Sequence, residues 1–531
     1  MTQQPSSRPR RIGLEREHWL FLLIIGVCAT LLLLKVMNMT VVWDETPHLY
    51  GGLLLSRGDI QGYFAFTQYP PMMDSAIAMY FNALGPSVFS ARLVSVTFSL
   101  LTIAVLFILV SRTYDRKIAL LSCVFLATMP GFIWLSNLAL TETMLEFFFV
   151  ASLLCFVYWV ETNKTTAILL SGLLLGAAFL TKYQGLVAGL VMLVSLPFVL
   201  FRNKFKAKIW KLPLLVAAAA LFIIPMILYL NSSGMLSQWL QLLVQGADMQ
   251  AQAHSTQYPA PVFYLVEVPF LSDYMHPIYL PVFVLGLLGL GLFLWRRKPQ
   301  DRFFLVWFLV VYVFFSLVTQ KSWRYVLPLF PVVAVAAASF VAFAYDRGKS
   351  ALSLPHLETN KKVLVKVLAA ALVVFTAGTV VASTVNASIW VSNYEMDVRL
   401  PEAIHYAAAG LDANDSVLML CPVNVFFKDT ARFYMQAYEG KNNQVLQYPV
   451  LPVDAYTPMF NLTEMLGICR ENQVKYVLLY EDRWLNYYNS SLSASTVAPL
   501  IMSSSMINYT TTFGDKPNRI FVFAVNQTAT T

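Results

Sequence analysis

The sequence predicts a polytopic α-helical membrane protein with a C-terminal soluble α/β domain, and three observations predict it. Hydrophobic residues fill 58% of the 531 positions and charged residues only 12%, far more apolar than a soluble chain of this length. Apolar stretches of roughly 17 to 23 residues, long enough to cross a ~30 Å hydrocarbon core, recur through the first three quarters of the chain. After position 385 the long apolar runs stop, and polar and aromatic residues mix.

About eleven spans are read from the apolar runs. They lie near 19–37, 93–111, 118–136, 143–160, 165–181, 185–201, 212–230, 277–295, 303–319, 325–345 and 363–385. The first run is long and lacks a small-residue cleavage site, so it reads as a span and not as a signal peptide. Basic residues cluster in alternate loops: Arg8, Arg10, Arg11 and Arg16, then Arg112, Arg116 and Lys117. The series continues with Arg202, Lys204, Lys206, Lys208 and Lys211, with Arg296, Arg297, Lys298 and Arg302, and with Arg347, Lys349, Lys361, Lys362 and Lys366. The positive-inside rule makes all of these cytoplasmic, with residues 1–18 a cytoplasmic N-terminus, 19–385 the transmembrane domain, and the loop at about 38–92 external. The net charge of +8 therefore reports topology, and no nucleic-acid partner is expected.

The same alternation puts residues 386–531 outside. Helical stretches near 399–410, 424–437 and 459–471, and strand-like runs at 417–420, 476–480 and 520–525, predict a small α/β domain. Asn386, Asn414, Asn461, Asn489, Asn508 and Asn526 each begin an Asn-x-Ser/Thr string. Such density fits an external segment, whether its asparagines are modified or the surface is merely rich in Ser, Thr and Asn. Cys421 and Cys469 lie outside the spans, where an oxidising compartment would allow a disulfide, whereas Cys28, Cys123 and Cys155 sit in apolar runs as packing residues.

Topology gathers the polar residues on one side. The first external loop carries Asp44-Glu45 in the string WDETPHLY, then His48, a Gly51-Gly52 step, Tyr69-Pro70-Pro71-Met72, an apolar run through Asn82, and Arg92. Helices lying in the membrane interface suit this pattern. Other external segments add Glu142, Lys182-Tyr183-Gln184, a stretch 231–276 with Asp248, His254, Glu267, Asp273 and His276, and Lys321-Ser322-Trp323-Arg324-Tyr325. Any one of these could be an interfacial anchor. Together they suit transfer of a sugar from a lipid phosphate to a hydroxyl: one carboxylate takes the acceptor proton, and cations steady a leaving group that is already anionic. Asp44 meets the first need, and Lys182, Lys321 and Arg324 meet the second, with arginine able to grip phosphate oxygens bidentately.

These strings, in this order, resemble the polyprenyl-phosphate-sugar-dependent glycosyltransferases of the GT-C fold, specifically the protein O-mannosyltransferase and aminoarabinose transferase group. The resemblance covers roughly residues 19–345. It rests on Asp44-Glu45, Tyr69-Pro70-Pro71-Met72, Arg92-Leu93, the string GAAFLTK from Gly176 to Lys182, and Arg324-Tyr325 followed by Leu327-Pro328 and Pro331. It implies an inverting hexosyl transfer from a polyprenyl or dolichyl phosphate donor to a hydroxyl on a protein, glycan or lipid. Asp44 is the implied general base, with Glu45 beside it. Lys182, Lys321, Arg324, Arg92, Tyr69 and Tyr325 are the expected substrate contacts. Many relatives have His before the Pro-Pro pair, where this chain has Tyr69. The C-terminal segment does not look like the β-trefoil of eukaryotic protein mannosyltransferases, which points to a prokaryotic cell membrane. A WWDYG-type string, expected of an oligosaccharyltransferase subunit, is absent.

Asp44, Glu45, His48, Glu142, His254 and His276 all face outward and leave room for a divalent cation, but their spacing matches no compact metal signature and no metal ligand is assigned. The alternative from another class is a secondary transporter of a polar solute or lipid-linked sugar. Such proteins carry ionisable groups near the bilayer midplane, whereas this sequence collects them at the outer mouth. A mere membrane anchor would not need so many spans.

Overall fold

The computed structural model describes residues 16–36, 41–67, 69–200, 208–241, 258–272, 275–318, 321–353, 359–393, 398–420, 428–448, 460–481, 494–516 and 518–527. Six described helices are long and apolar enough to cross a membrane: Val88–Thr113, Thr141–Thr162, Ile209–Ser232, Pro299–Leu317, Trp323–Leu352 and Thr359–Ser392. Four shorter apolar helices, Trp19–Leu33, Thr165–Thr181, Tyr183–Phe198 and Leu280–Arg296, accompany them.

The stretch expected as one span over 118–136 is broken. Helix Arg116–Thr128 and helix Pro130–Ser136 meet at 66°. Pro130 cannot donate to the preceding turn and holds Met129 extended, at φ −67° and ψ 124°, so the first helix must stop there. The bend delivers residues 137–140 beneath the segment that follows the first apolar helix, where the Ala139 amide reaches Glu45.

That segment folds as three short helices, α1 (Thr46–Ser56), α2 (Ile60–Phe66) and α3 (Met72–Leu84), preceded by a 3-10 turn at Trp43–Glu45. Asp59 starts α2 by accepting from the Gly62 amide at 2.8 Å. The Gly51-Gly52 step is explained by the packing of α1 on α3. A Cβ on Gly52 would sit 2.4 Å from Ile77, and one on Gly51 would stand 3.1 Å from the Asp74 carboxylate.

The last long helix runs to Asn393, beyond the expected boundary at 385, and the C-terminal domain follows. Its five-stranded sheet has the order β2-β1-β3-β5-β4, with β1 (Ser416–Leu420), β2 (Gln444–Tyr448), β3 (Val474–Tyr480), β4 (Ile507–Phe513) and β5 (Ile520–Val525). Strands β2, β1 and β3 are parallel, β5 is antiparallel to β3, and β4 is antiparallel to β5. Every residue of β1 is buried, because helices cover both faces. Leu418 and Leu420 pack with Cys469 and Ile501 on one side. Val417 and Met419 join Ile404, Phe433 and Met435 on the other, and that cluster continues without a break into Leu49, Leu53, Ile77 and Phe81 of the first loop.

The domain is thus seated on the loop by a shared apolar core. Phe81 stacks on Phe433 with centroids 5.9 Å apart. Thr46 and Thr430 hydroxyls meet at 2.6 Å, and Arg57 donates to the Gln436 side chain at 2.6 Å. Asn414, Asn461, Asn508 and Asn526 are exposed, Asn386 is half-buried in the preceding helix, and Asn489 lies outside the described residues. Cys421 also lies outside them, and Cys469 is a buried free thiol.

Candidate active site

The two acids that adjoin in sequence part company in space. Glu45 is completely buried and Arg92 is 1% exposed. Arg92 Nε donates to Glu45 Oε1 at 2.8 Å and Nη2 to Oε2 at 2.7 Å, a bidentate pair. The Ala139 amide, delivered by the bend at Pro130, donates to Oε1 at 2.7 Å, and the Val42 amide to Oε2 at 3.0 Å. Arg92 also donates to the Val36 carbonyl at 2.9 Å. The Glu45–Arg92 pair therefore ties four segments together underneath the site. Arg92 has no exposed face for a substrate, and the expectation that it contacts one gives way to this structural role. Glu45 likewise has no oxygen directed to solvent.

Asp44 behaves otherwise. Its side chain is 42% exposed, and Oδ2 meets Nη1 of Arg324 at 2.6 Å. Arg324, 22% exposed, rides on the 3-10 segment Trp323–Leu329, which Ser322 caps by accepting from the Arg324 amide. Glu142, at the start of the Thr141–Thr162 helix, binds Lys182 Nζ at 3.0 Å. The Lys182 ammonium also lies 4.9 Å from the centre of the Tyr325 ring. Arg324 feels both Asp44 and Glu142, so the four charges form one alternating group. Tyr69 lies in the field of Asp44, Arg324 and Glu142, and burial raises its hydroxyl pKa well above the ordinary value.

Of the expected residues, Asp44, Lys182, Arg324, Tyr69 and Tyr325 come together. Lys321 does not join them. Its ammonium turns back to the end of the Pro299–Leu317 helix, donating to the carbonyls of Ser316 at 2.8 Å and Val318 at 2.5 Å. The negative end of a helix is a natural seat for a cation, and burial there lowers the lysine pKa.

Sequence reasoning passed over Asp74 and Tyr63. Asp74 is fully buried, accepting from the Tyr63 hydroxyl at 2.8 Å and bonded to His48 Nδ1 at 2.6 Å. The signal was present: an acid inside the apolar run MMDSAIAMYF requires a buried partner. His48 packs its ring 5.1 Å from that of Tyr69. Glu146, one turn beyond Glu142, was also passed over, and both its oxygens are buried without a partner. Among the described residues, no three His, Cys, Asp or Glu side chains group closely enough to hold a metal ion. His276 instead bonds the Pro269 carbonyl at 2.8 Å.

Fold and site together define a polytopic membrane protein of the GT-C fold. ArnT from Cupriavidus metallidurans superposes at a TM-score of 0.64, covering 97% of this chain and 99% of that one at 15% identity. The same protein bound to undecaprenyl phosphate gives 0.56, with 96% and 98% covered at 15% identity. The Archaeoglobus fulgidus oligosaccharyltransferase shares the fold at 0.56 and 11% identity, covering 96% of this chain and 74% of that one. In sequence, residues 68–229 match the dolichyl-phosphate-mannose-protein mannosyltransferase family model. An undecaprenyl phosphate-alpha-4-amino-4-deoxy-L-arabinose arabinosyl transferase of Proteus mirabilis is 25% identical over 272 residues, 48% of this chain and 46% of its own length. The chain spans about half the length of the curated relatives it matches, 46% to 58%.

Proposed function

We propose that the protein is an inverting glycosyltransferase that moves a sugar from a polyprenyl-phosphate donor to a hydroxyl acceptor, with Asp44 as general base. The observation that carries this reading is the half-exposed Asp44–Arg324 contact, which brings a proton acceptor and a phosphate-binding guanidinium within 2.6 Å of each other. Donor phosphate offers Arg324 a competing anion, and exchange of partners frees the Asp44 oxygen for the acceptor. The acceptor hydroxyl oxygen then bonds to the anomeric carbon as the carbon–phosphate oxygen bond breaks, and the hydroxyl proton passes to Asp44. The departing phosphate monoester gains one negative charge, which Arg324 and Lys182 offset. Tyr325 and Tyr69 line the same group, while Glu45 and Arg92 hold the turn that presents Asp44. The binding of undecaprenyl phosphate by ArnT, a protein with this fold, supports a polyprenyl donor.

The finer reading has eleven spans, obtained by counting the bent pair once and adding the shorter apolar helices, with the active site and the 386–531 domain on the external face. The seating of that domain on the first loop supports a part in acceptor choice. The mannosyl or aminoarabinosyl identity of the sugar is open to assay. Purified protein in liposomes, given polyprenyl-phosphate-linked mannose or aminoarabinose, should release polyprenyl phosphate and form an inverted glycoside. Solute flux without any lipid-linked sugar, and no transfer, would overturn the reading in favour of transport.

A further inference from the structure

Asp44 and Glu142 are matched by Arg324 and Lys182, and Asp74 adds a third carboxylate beside them, bonded to His48 and Tyr63. The neighbouring Glu45–Arg92 pair is neutral in itself. With His48 neutral, an anionic donor would meet one more carboxylate than cations, which long-range attraction would not favour.

His48 is placed to correct this. It is buried one turn into α1, with its ring 5.1 Å from that of Tyr69 and within the field of Asp44 and Glu142. Its Nδ1 is fixed by Asp74, and Asp74 is fixed in turn by Tyr63. No described residue bonds Nε2. Resting on the glycosyltransferase reading above, we propose that His48, as an imidazolium held by Asp74, supplies the third positive charge of the donor-phosphate site and so sets its affinity for the anionic lipid donor.

The groups around it make the inference testable by pH. Burial works against the charged imidazole, but Asp74, with smaller help from Glu142 and Asp44, outweighs it and raises the His48 pKa. From α2 comes Tyr63 and from the following loop Tyr69, both pushed above their ordinary values by burial, so neither ionises near neutrality. The Val88–Thr113 helix contributes Arg92, already paired with Glu45, and the Lys428–Tyr438 helix contributes Asp429, paired with Arg432 at 2.9 Å. Among the described residues packed around the site, His48 is then the group that ordinarily titrates between about pH 6 and about pH 9. Because its folded pKa is raised, the charge is complete below about pH 6.5 and is lost as pH climbs through the raised value.

The experiment is binding of polyprenyl-phosphate mannose, a diester of fixed single charge, to the full chain in nanodiscs, alongside donor KM in the transfer assay. Wild type should bind roughly tenfold more weakly once His48 is neutral. His48→Gln should bind weakly throughout, with no pH dependence. Asp74→Asn should move the loss of affinity to lower pH. Tyr63→Phe, which leaves Asp74 a stronger acceptor for His48, should move it to higher pH and serves where the other variants fail to fold. A flat profile in wild type, or the wild-type profile in folded His48→Gln, would overturn the inference. Transfer with a flat profile would leave the glycosyltransferase reading intact, whereas pH-dependent binding without transfer would leave the charge inference intact and remove that reading.

Discussion

Two arginine–carboxylate pairs stand side by side in this protein, built from adjacent acids, and they do different things. Glu45 and Arg92 are sealed from solvent and hold four hydrogen bonds to the carboxylate between them and the backbone. Asp44 and Arg324 share a single contact of 2.6 Å at a half-open surface. A buried ion pair gains little net stability over an apolar replacement, yet stripping one partner leaves a charge stranded. An exposed pair is worth little to the fold and can exchange partners freely. On the proposed mechanism, exposure and not residue type therefore decides which acid takes a proton from a substrate.

Substitutions can break this comparison at either pair. The largest effect is expected from Asp44→Asn, which keeps size and fold but removes the base: transfer should drop by roughly 10² to 10⁴-fold with an unchanged thermal midpoint. Activity retained in that variant would remove Asp44 from the mechanism. At the buried pair, Arg92→Ala should destabilise the protein by about 3–5 kcal/mol, read by thermal unfolding in detergent, because Glu45 then lies buried without its countercharge. A midpoint within error of wild type would show the pair to be dispensable.

Smaller effects sharpen the same distinction between satisfied and unsatisfied burial. Glu146→Leu removes a buried carboxyl with no partner and should raise stability by about 1–3 kcal/mol. A loss of transfer in that variant would instead mark Glu146 as functional. Lys321→Met should cost only about 0.5–1 kcal/mol, the worth of a cation at a helix end, and should leave donor KM unchanged. A raised KM would return Lys321 to the donor site.

The sequence made the membrane-spanning character plain, because twenty-residue apolar runs have few other uses in a protein. The short helices of the first loop and the gathering of Asp44 with Arg324 were legible for a related reason: polar residues concentrated beside apolar spans must face water or each other. Partner choice was not legible. Glu45 and Arg92 meet across 47 positions, and nothing local to either says which arginine each acid takes. Lys321 looked like a phosphate ligand because its use as a helix cap depends on how residues 316–318 end their helix. The break at Pro130 lay hidden inside an apolar run whose composition reads as a single span. Strands β2 and β4 escaped notice because β4 is an edge strand, with Asn508, Tyr509 and Thr510 exposed, and lacks the continuous apolar run of β3.

The central claim is that the exposed pair does chemistry and the buried pair builds the floor beneath it. The most direct measurement compares Arg324→Lys with Arg92→Lys, recording donor KM and thermal midpoint for each in the same liposomes. The account predicts that Arg324→Lys raises donor KM and leaves the midpoint in place, since lysine keeps the charge but not the bidentate grip. It predicts that Arg92→Lys lowers the midpoint while the folded fraction keeps the wild-type KM. The reverse pattern, a stability loss at Arg324 and a donor effect at Arg92, would contradict it.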